Sequence, residues 1–520
     1  MNDRIHLIKE IITMRNRHHS SHASQAIDRS KNKHDRSRYR VKPMPLASVA
    51  LSWLLLTLLQ LSPVRAAGPI LSQLAEHGQR KGLTLADSIP GFQGKHYVTG
   101  FVKPGDRLIL IFQVPQSGLY DANIRYSSPG KKGFSLTING SEYSSMFPAS
   151  PDRFANFDAG LVELKAGKNV VSIGRGWGYF SIDSITFTAG RKYPPPIRPS
   201  PRLCDPDATP QARSLMRHLV MAYGRRMLTG VYSAADASYV HRVTGQYPSI
   251  IGGDLMDYSP TRLKYGADPH HEVQQLIGAA RQGFIITVSW HWNAPAELIK
   301  DNYVNAQGKM VSSHWWSGFY TKSTRFNIAE VLAHPGGKNY HLLISNIDAI
   351  AAQLKKFDNA GIPILWRPLH EASGGWFWWG AHGPKPFKKL WRLMYNRLTF
   401  HFHLHNLIWV YTTAGTGAWY PGNKYVDIVG VDQYPKNADD PLSKLWWNCQ
   451  KHFSNKVIAM TEFGGVVNAE KSFHFGVYWD YAVSWVGRVR PQYENRSSLK
   501  KLYNQPDVLT YSQTKNWLHY

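Results

Sequence analysis

The chain has 520 residues, 43% of them hydrophobic and 13% aromatic, with 18 Trp and a formal net charge of +26. That length exceeds one average domain and the apolar content supplies full cores, so two folded units with accessory segments are expected. The charge does not mark a nucleic-acid partner: basic residues crowd the His- and Ser-rich stretch 1–43, from Arg4 to Lys42, and are dispersed elsewhere with no Lys/Arg run interleaved with aromatics.

After this tail, residues 44–67 hold an apolar run from Pro45 to Leu61 and small residues at Val64 and Ala66. This is the pattern of a signal peptide cleaved near Ala66 or Ala67, with an uncleaved anchor as the alternative. The run is shorter than the about 20 residues a membrane span needs. The chain is therefore expected outside the cell or in the periplasm, with no membrane partner after cleavage. The basic stretch before the run is long for the lead of a signal peptide, which makes Met44 an alternative start of translation.

Residues 68–190 read as short strands with turn punctuation: Arg107–Val114, Gly118–Tyr126, Phe134–Ile138, Leu161–Leu164, Asn169–Ile173 and Ser181–Phe187, with Asn139-Gly140 as a hairpin signal. Little helical periodicity intervenes, so an all-β sandwich is expected. Residues 191–203, with Pro194-Pro-Pro-Ile-Arg-Pro-Ser-Pro201, read as an extended interdomain spacer.

From residue 204 to 520 the rhythm changes. Eight apolar runs (Leu228–Tyr232, Ser249–Leu255, Phe284–His291, Ile362–Glu371, Leu407–Thr412, Ile428–Tyr434, Val457–Phe463 and Ala482–Val486) alternate with helical stretches such as His271–Arg281, Tyr340–Asn359 and Pro386–Phe400. The pattern predicts an α/β fold, a (β/α)8 TIM barrel following the sandwich, and no glycine-rich phosphate loop supports a doubly wound sheet instead. The two cysteines, Cys204 and Cys449, either pair or stay as separate buried thiols.

Catalytic groups of such a barrel sit at the carboxyl ends of its strands. The fourth strand runs into Glu371 and the seventh into Glu462, each a lone carboxylate where an apolar strand becomes a loop. A buried carboxylate costs several kcal/mol unless it is paired, and two carboxylates are the equipment of glycosidic cleavage, one protonating the leaving oxygen and one attacking carbon or activating water. Alternation on the fourth strand places Arg367 with Glu371 inside the barrel. Flat indoles suit sugar rings: Trp376, Trp485 and Trp292 are expected as platforms, Trp378 as packing. His291 and His370 are expected to contact substrate. His401, His403 and His405 alternate at the far end of the barrel, where a solvated or dipole-capping role is expected. No Gly-x-Ser-x-Gly elbow is present.

Arg367-Pro-Leu-His-Glu-Ala-Ser-Gly-Gly-Trp-Phe-Trp-Trp-Gly380, Thr461-Glu-Phe-Gly464, Gly252-Gly-Asp-Leu-Met-Asp-Tyr258, Ile286-Thr-Val-Ser-Trp-His-Trp292 and Gly430-Val-Asp-Gln-Tyr434 together resemble glycoside hydrolase family 26, whose best-known members are β-mannanases. The resemblance implies a retaining endo-β-1,4-mannanase acting on mannan, galactomannan or glucomannan, with Glu371 as acid/base, Glu462 as nucleophile, Tyr434 hydrogen-bonded to the nucleophile and no cofactor for catalysis. Ala372-Ser373 depart from the Met-Asn of many members. The alternatives are the same mechanism on mixed-linkage β-glucan or β-1,3-xylan, and a non-catalytic polysaccharide-binding protein. A polysaccharide partner and a monomeric chain are expected.

Residues 70–188, through Gly94-Lys-His-Tyr-Val-Thr-Gly-Phe101, Val114-Pro-Gln-Ser-Gly-Leu-Tyr120 and Gly176-Trp-Gly-Tyr-Phe-Ser-Ile-Asp-Ser-Ile185, resemble carbohydrate-binding module family 35. That resemblance implies a structural calcium, for which Glu76 and Asp183 are the nominated ligands. Trp177 is either a sugar platform or the hydrophobic plug of the sandwich.

Overall fold

The computed structural model describes residues 70–435 and 439–519. The basic tail and the signal peptide or anchor expected at 44–67 lie outside the described residues. Among those residues, no helix is long and apolar enough to cross a membrane.

The amino-terminal unit is two antiparallel sheets. One orders the strands Thr84–Ala86, Tyr97–Thr99, Ser181–Ala189, Gly118–Ser128 and Ser150–Leu164, with Leu71–Leu74 also on Ser181–Ala189; the other orders Gln79–Lys81, Arg107–Val114, Gly167–Arg175, Lys132–Ile138 and Ser141–Phe147. Strand alternation builds the core between them: Leu108, Leu110, Phe112 and Val114 point inward from one strand while the residues between them face outward. Asn139 and Gly140 both take positive φ, 50° and 91°, and close the tight hairpin expected of an Asn-Gly pair.

The second unit is a closed barrel. Its strands are β1 (Met227–Val231), β2 (Ile250–Asp254), β3 (Ile285–Trp290), β4 (Ile364–Pro368), β5 (Leu407–Thr412), β6 (Ile428–Gln433), β7 (Val457–Phe463) and β8 (Tyr481–Ser484). Consecutive strands pair in parallel, and β1 closes the ring against both β8 and β2. Every residue of β1, β3, β4, β5 and β7 is buried, as strands covered on both faces require. The helices include Glu272–Arg281, Lys338–Asn359 and Pro384–Asn396, the last followed by a π turn at Arg397–His401.

One expectation is revised. β4 ends at Pro368, three residues before Glu371, and Leu369 and Glu371 both take positive φ, 51° and 54°. Alternation therefore stops at the strand end, and Leu369 packs in the core. The proline-rich segment is extended and tied down at both ends: Arg191 pairs with Asp121 and Asp158, Tyr193 lies edge-on to Trp447 at 3.7 Å, and Leu203 is buried. Cys204 and Cys449 are free thiols.

The sandwich is seated on the barrel by its strand Ser150–Leu164, which meets the helix Ser443–Phe453. Leu161 joins the barrel core, its N–H donates to Ser443 Oγ at 3.2 Å, and the Lys444 ammonium sits 3.5 Å over the Phe157 ring while donating to the Asp158 carbonyl. Gly160 allows this approach: a Cβ there would come within 3.1 Å of Ser443 Oγ, at a φ of 89°.

Candidate active site

Arg367, fully buried on β4, organises the carboxyl end of the barrel. Its guanidinium donates to Asp432 Oδ2 at 2.9 Å, to Glu462 Oε2 at 3.1 Å and to the Tyr232 hydroxyl at 2.8 and 3.1 Å. β7 delivers Glu462 and β6 delivers Asp432, which accepts from Thr461 Oγ1 at 2.7 Å. The Tyr434 hydroxyl donates to Glu462 Oε1 at 3.1 Å.

Glu371 faces them from the turn after β4. Its N–H is held by Thr412 Oγ1 at 2.9 Å, and its Oε2 accepts from Trp376 Nε1 at 2.8 Å. One oxygen from each of Glu371, Asp432 and Glu462 lies within 4.8 Å of the others. Burial pushes all three carboxyls upward, Glu371 to about 7, while the guanidinium opposes this most strongly at Asp432 and Glu462, its two direct partners. Three carboxyls around one guanidinium leave negative charge in excess, which favours one shared proton. Glu371, whose one side-chain donor is a neutral indole, is where that proton is cheapest to hold.

Beside the pair, His291 Nδ1 contacts Asp254 Oδ2 at 2.5 Å and its Nε2 lies 3.1 Å from His370 Nε2. Burial holds the His370 imidazole well below its usual range, and the neighbouring Arg367 and His291 add to this, so it is neutral.

The aromatic expectations divide by exposure. Trp376 and Tyr434 are open to the cleft, and Trp485 is half-buried with its ring 5.6 Å from His291. Trp292 is corrected: at 0% exposure it stacks on Trp290 at 4.2 Å and donates to Asn346, so its faces meet side chains rather than sugar. His370 is corrected too, since at 1% exposure it reaches the cleft through His291. Trp378 packs as expected, and His405 pairs with Asp205 at 2.9 Å.

In the sandwich, Glu76 and Asp183 do flank one loop. Glu76 accepts from the N–H groups of Lys95 and His96, and Asp183 accepts from that of Gln93. Arg125 Nε stands 3.0 Å from Asp183 Oδ2, and its guanidinium also donates to the Gly91 carbonyl. Arg125 thus places one positive charge beside the buried Asp183 carboxyl.

Residues 204–513 match Glycosyl hydrolase family 26. The chain belongs to that family. Residues 73–190 match Carbohydrate binding module (family 35). A mannan endo-1,4-β-mannosidase of Thermothelomyces thermophilus is 36% identical over 454 residues, 85% of this chain and 90% of that protein. Mannan endo-1,4-β-mannosidase A of a Piromyces species is 27% identical over 452 residues, covering 84% and 71%. The crystal structure of a Podospora anserina β-(1,4)-mannanase with the same two modules superposes with a TM-score of 0.61 at 38% identity, over 86% of this chain and 99% of that one.

This family 26 site contains residues that sequence reasoning did not single out. Asp432, Tyr232 and Asp254 complete the network, and each is a polar residue at the carboxyl end of a barrel strand. Asp432 alternates with Gly430 along β6, so the same face rule that selected Arg367 was available for it.

Proposed function

We propose that this family 26 glycoside hydrolase is an exported endo-β-1,4-mannanase that cleaves mannan, galactomannan or glucomannan backbones with net retention. The carrying observation is that one oxygen of Glu371 lies within 4.8 Å of one oxygen of Glu462. Retaining pairs stand about 5–5.5 Å apart, whereas inverting pairs need about 6.5–9.5 Å to admit a water. The mannan specificity is supported by the relatives, and export by the apolar stretch Pro45–Leu61 behind a basic lead.

Glu462, held as a carboxylate by Arg367 and Tyr434, attacks the anomeric carbon as Glu371 delivers its proton to the departing glycosidic oxygen. The sugar is then carried as an ester on Glu462. Glu371, now a carboxylate, takes a proton from a water that attacks the same carbon, and both residues return to their starting states. Arg367 stays charged throughout and keeps Asp432 ionised beside the nucleophile.

Proton NMR of mannohexaose during the first turnovers tests the reading. Retention releases the β-anomer first, before mutarotation. An initial α-anomer would overturn retention, and inertness of the enzyme on mannan and mannohexaose would overturn the mannanase assignment.

A further inference from the structure

A cavity of about 630 Å³ lies where the sandwich meets the barrel, within the about 300–1,000 Å³ typical of sites for small ligands. Both units line it. From the sandwich comes Trp177, 55% exposed; from the barrel come Tyr434, 46% exposed, with Gln433 and Asn448. Tyr434 belongs to two places at once, because its hydroxyl holds Glu462 while its ring borders this cavity. Tyr434 therefore stands between the catalytic carboxylates and the cavity.

The two aromatic walls are fixed in place. The Trp177 indole lies flat against Gly133, where a Cβ would come within 2.3 Å of its Nε1, and Tyr434 packs over Gly464, where a Cβ would come within 2.6 Å of the ring. The seating of Leu161, Phe157 and Lys444 on the helix Ser443–Phe453 sets the distance between the walls. Two exposed rings in a lining that also carries amide side chains suit a sugar, which offers C–H faces for stacking and hydroxyls for hydrogen bonding.

We propose that this cavity is a distal subsite of the catalytic cleft. Further units of the mannan chain being cut occupy it, and Trp177 of the sandwich is their platform. The sandwich then determines which chains are cut and where, beyond holding the enzyme on its polymer. The proposal rests on the mannanase reading above.

The test compares Trp177→Ala with Tyr179→Ala, an equally exposed neighbour that does not line the cavity. Both side chains are at the surface, and thermal melts of both variants check that the fold is kept. On soluble oligosaccharides, W177A should lower kcat/KM for mannohexaose about tenfold, a typical value for an aromatic contact, with smaller losses as the oligosaccharide shortens. It should also shift the products released from mannohexaose, and Y179A should do neither. Equal activity of W177A and the unaltered enzyme on every oligosaccharide, with weakened retention on insoluble mannan alone, would overturn the shared-cleft proposal while leaving the mannanase reading intact. An unaltered enzyme inert on mannohexaose would overturn both.

Discussion

At Glu371 burial and a single indole donor act in opposite directions on one proton. Burial pushes the carboxyl to about 7, and the Trp376 hydrogen bond, which favours the charged form, restrains it. As an acid Glu371 works only when protonated, so kcat/KM should fall as pH rises through about 7, with the apparent value belonging to the coupled carboxyls together. Trp376→Phe keeps the aromatic wall but removes the donor. Its basic limb should therefore move to higher pH, and an unmoved limb in a kcat/KM–pH profile would refute this control. The two glutamates and Arg367 were legible as lone charged groups in or just after apolar runs. Asp432, Tyr232 and Asp254 were not singled out, because their importance lies in partners on other strands. Trp292 was misplaced for a related reason: position near a strand end does not reveal which way an indole turns.

At the scale of the strand, one extra residue aligns the acidic pair. β6 and β7 run in register as far as Val431 opposite Met460, then shift so that Asp432 stands opposite Glu462. Thr461 is the residue bulged between, and its hydroxyl turns to Asp432. Gly430 makes the room, since a Cβ there would lie 2.4 Å from Thr461 Oγ1. Gly430→Ala should therefore cost about 1–3 kcal/mol of stability by overpacking and lower kcat more than tenfold by displacing Asp432. Adding Thr461→Ala should recover part of the stability and none of the rate, because it relieves the clash but removes the hydroxyl. Additive losses in the double variant would show that the two residues do not share this space. All eight barrel strands were legible from apolar runs and their spacing. The bulge was not, nor was the early end of β4, since register and the positive φ at Leu369 and Glu371 are set by neighbouring strands and packing rather than by local pattern.

At the scale of the molecule, two units were legible from the change in rhythm at the proline-rich segment, but their seating was not. Leu161 and Ser443 lie 282 residues apart and read as an ordinary strand residue and an ordinary helix residue. The prolines read as an extended spacer, and Arg191 and Tyr193 tie that segment down on both sides. If the cleft spans both units, their docking is part of catalysis and can be tested apart from either core. Leu161 is buried in the barrel core cluster, so Leu161→Asp places a carboxylate in an apolar contact at a cost of several kcal/mol. The unaltered protein should melt in one calorimetric transition, because each unit loses the contact when the other unfolds, and the variant should show two. Its kcat/KM on mannohexaose should fall towards that of W177A, since a displaced sandwich carries Trp177 away from Tyr434. A variant that melts in two transitions yet cuts mannohexaose at full rate would mean that the sandwich stabilises the barrel without shaping its cleft. Loss of the single transition and loss of long-chain activity together would tie stability and specificity to the same few contacts around the helix Ser443–Phe453.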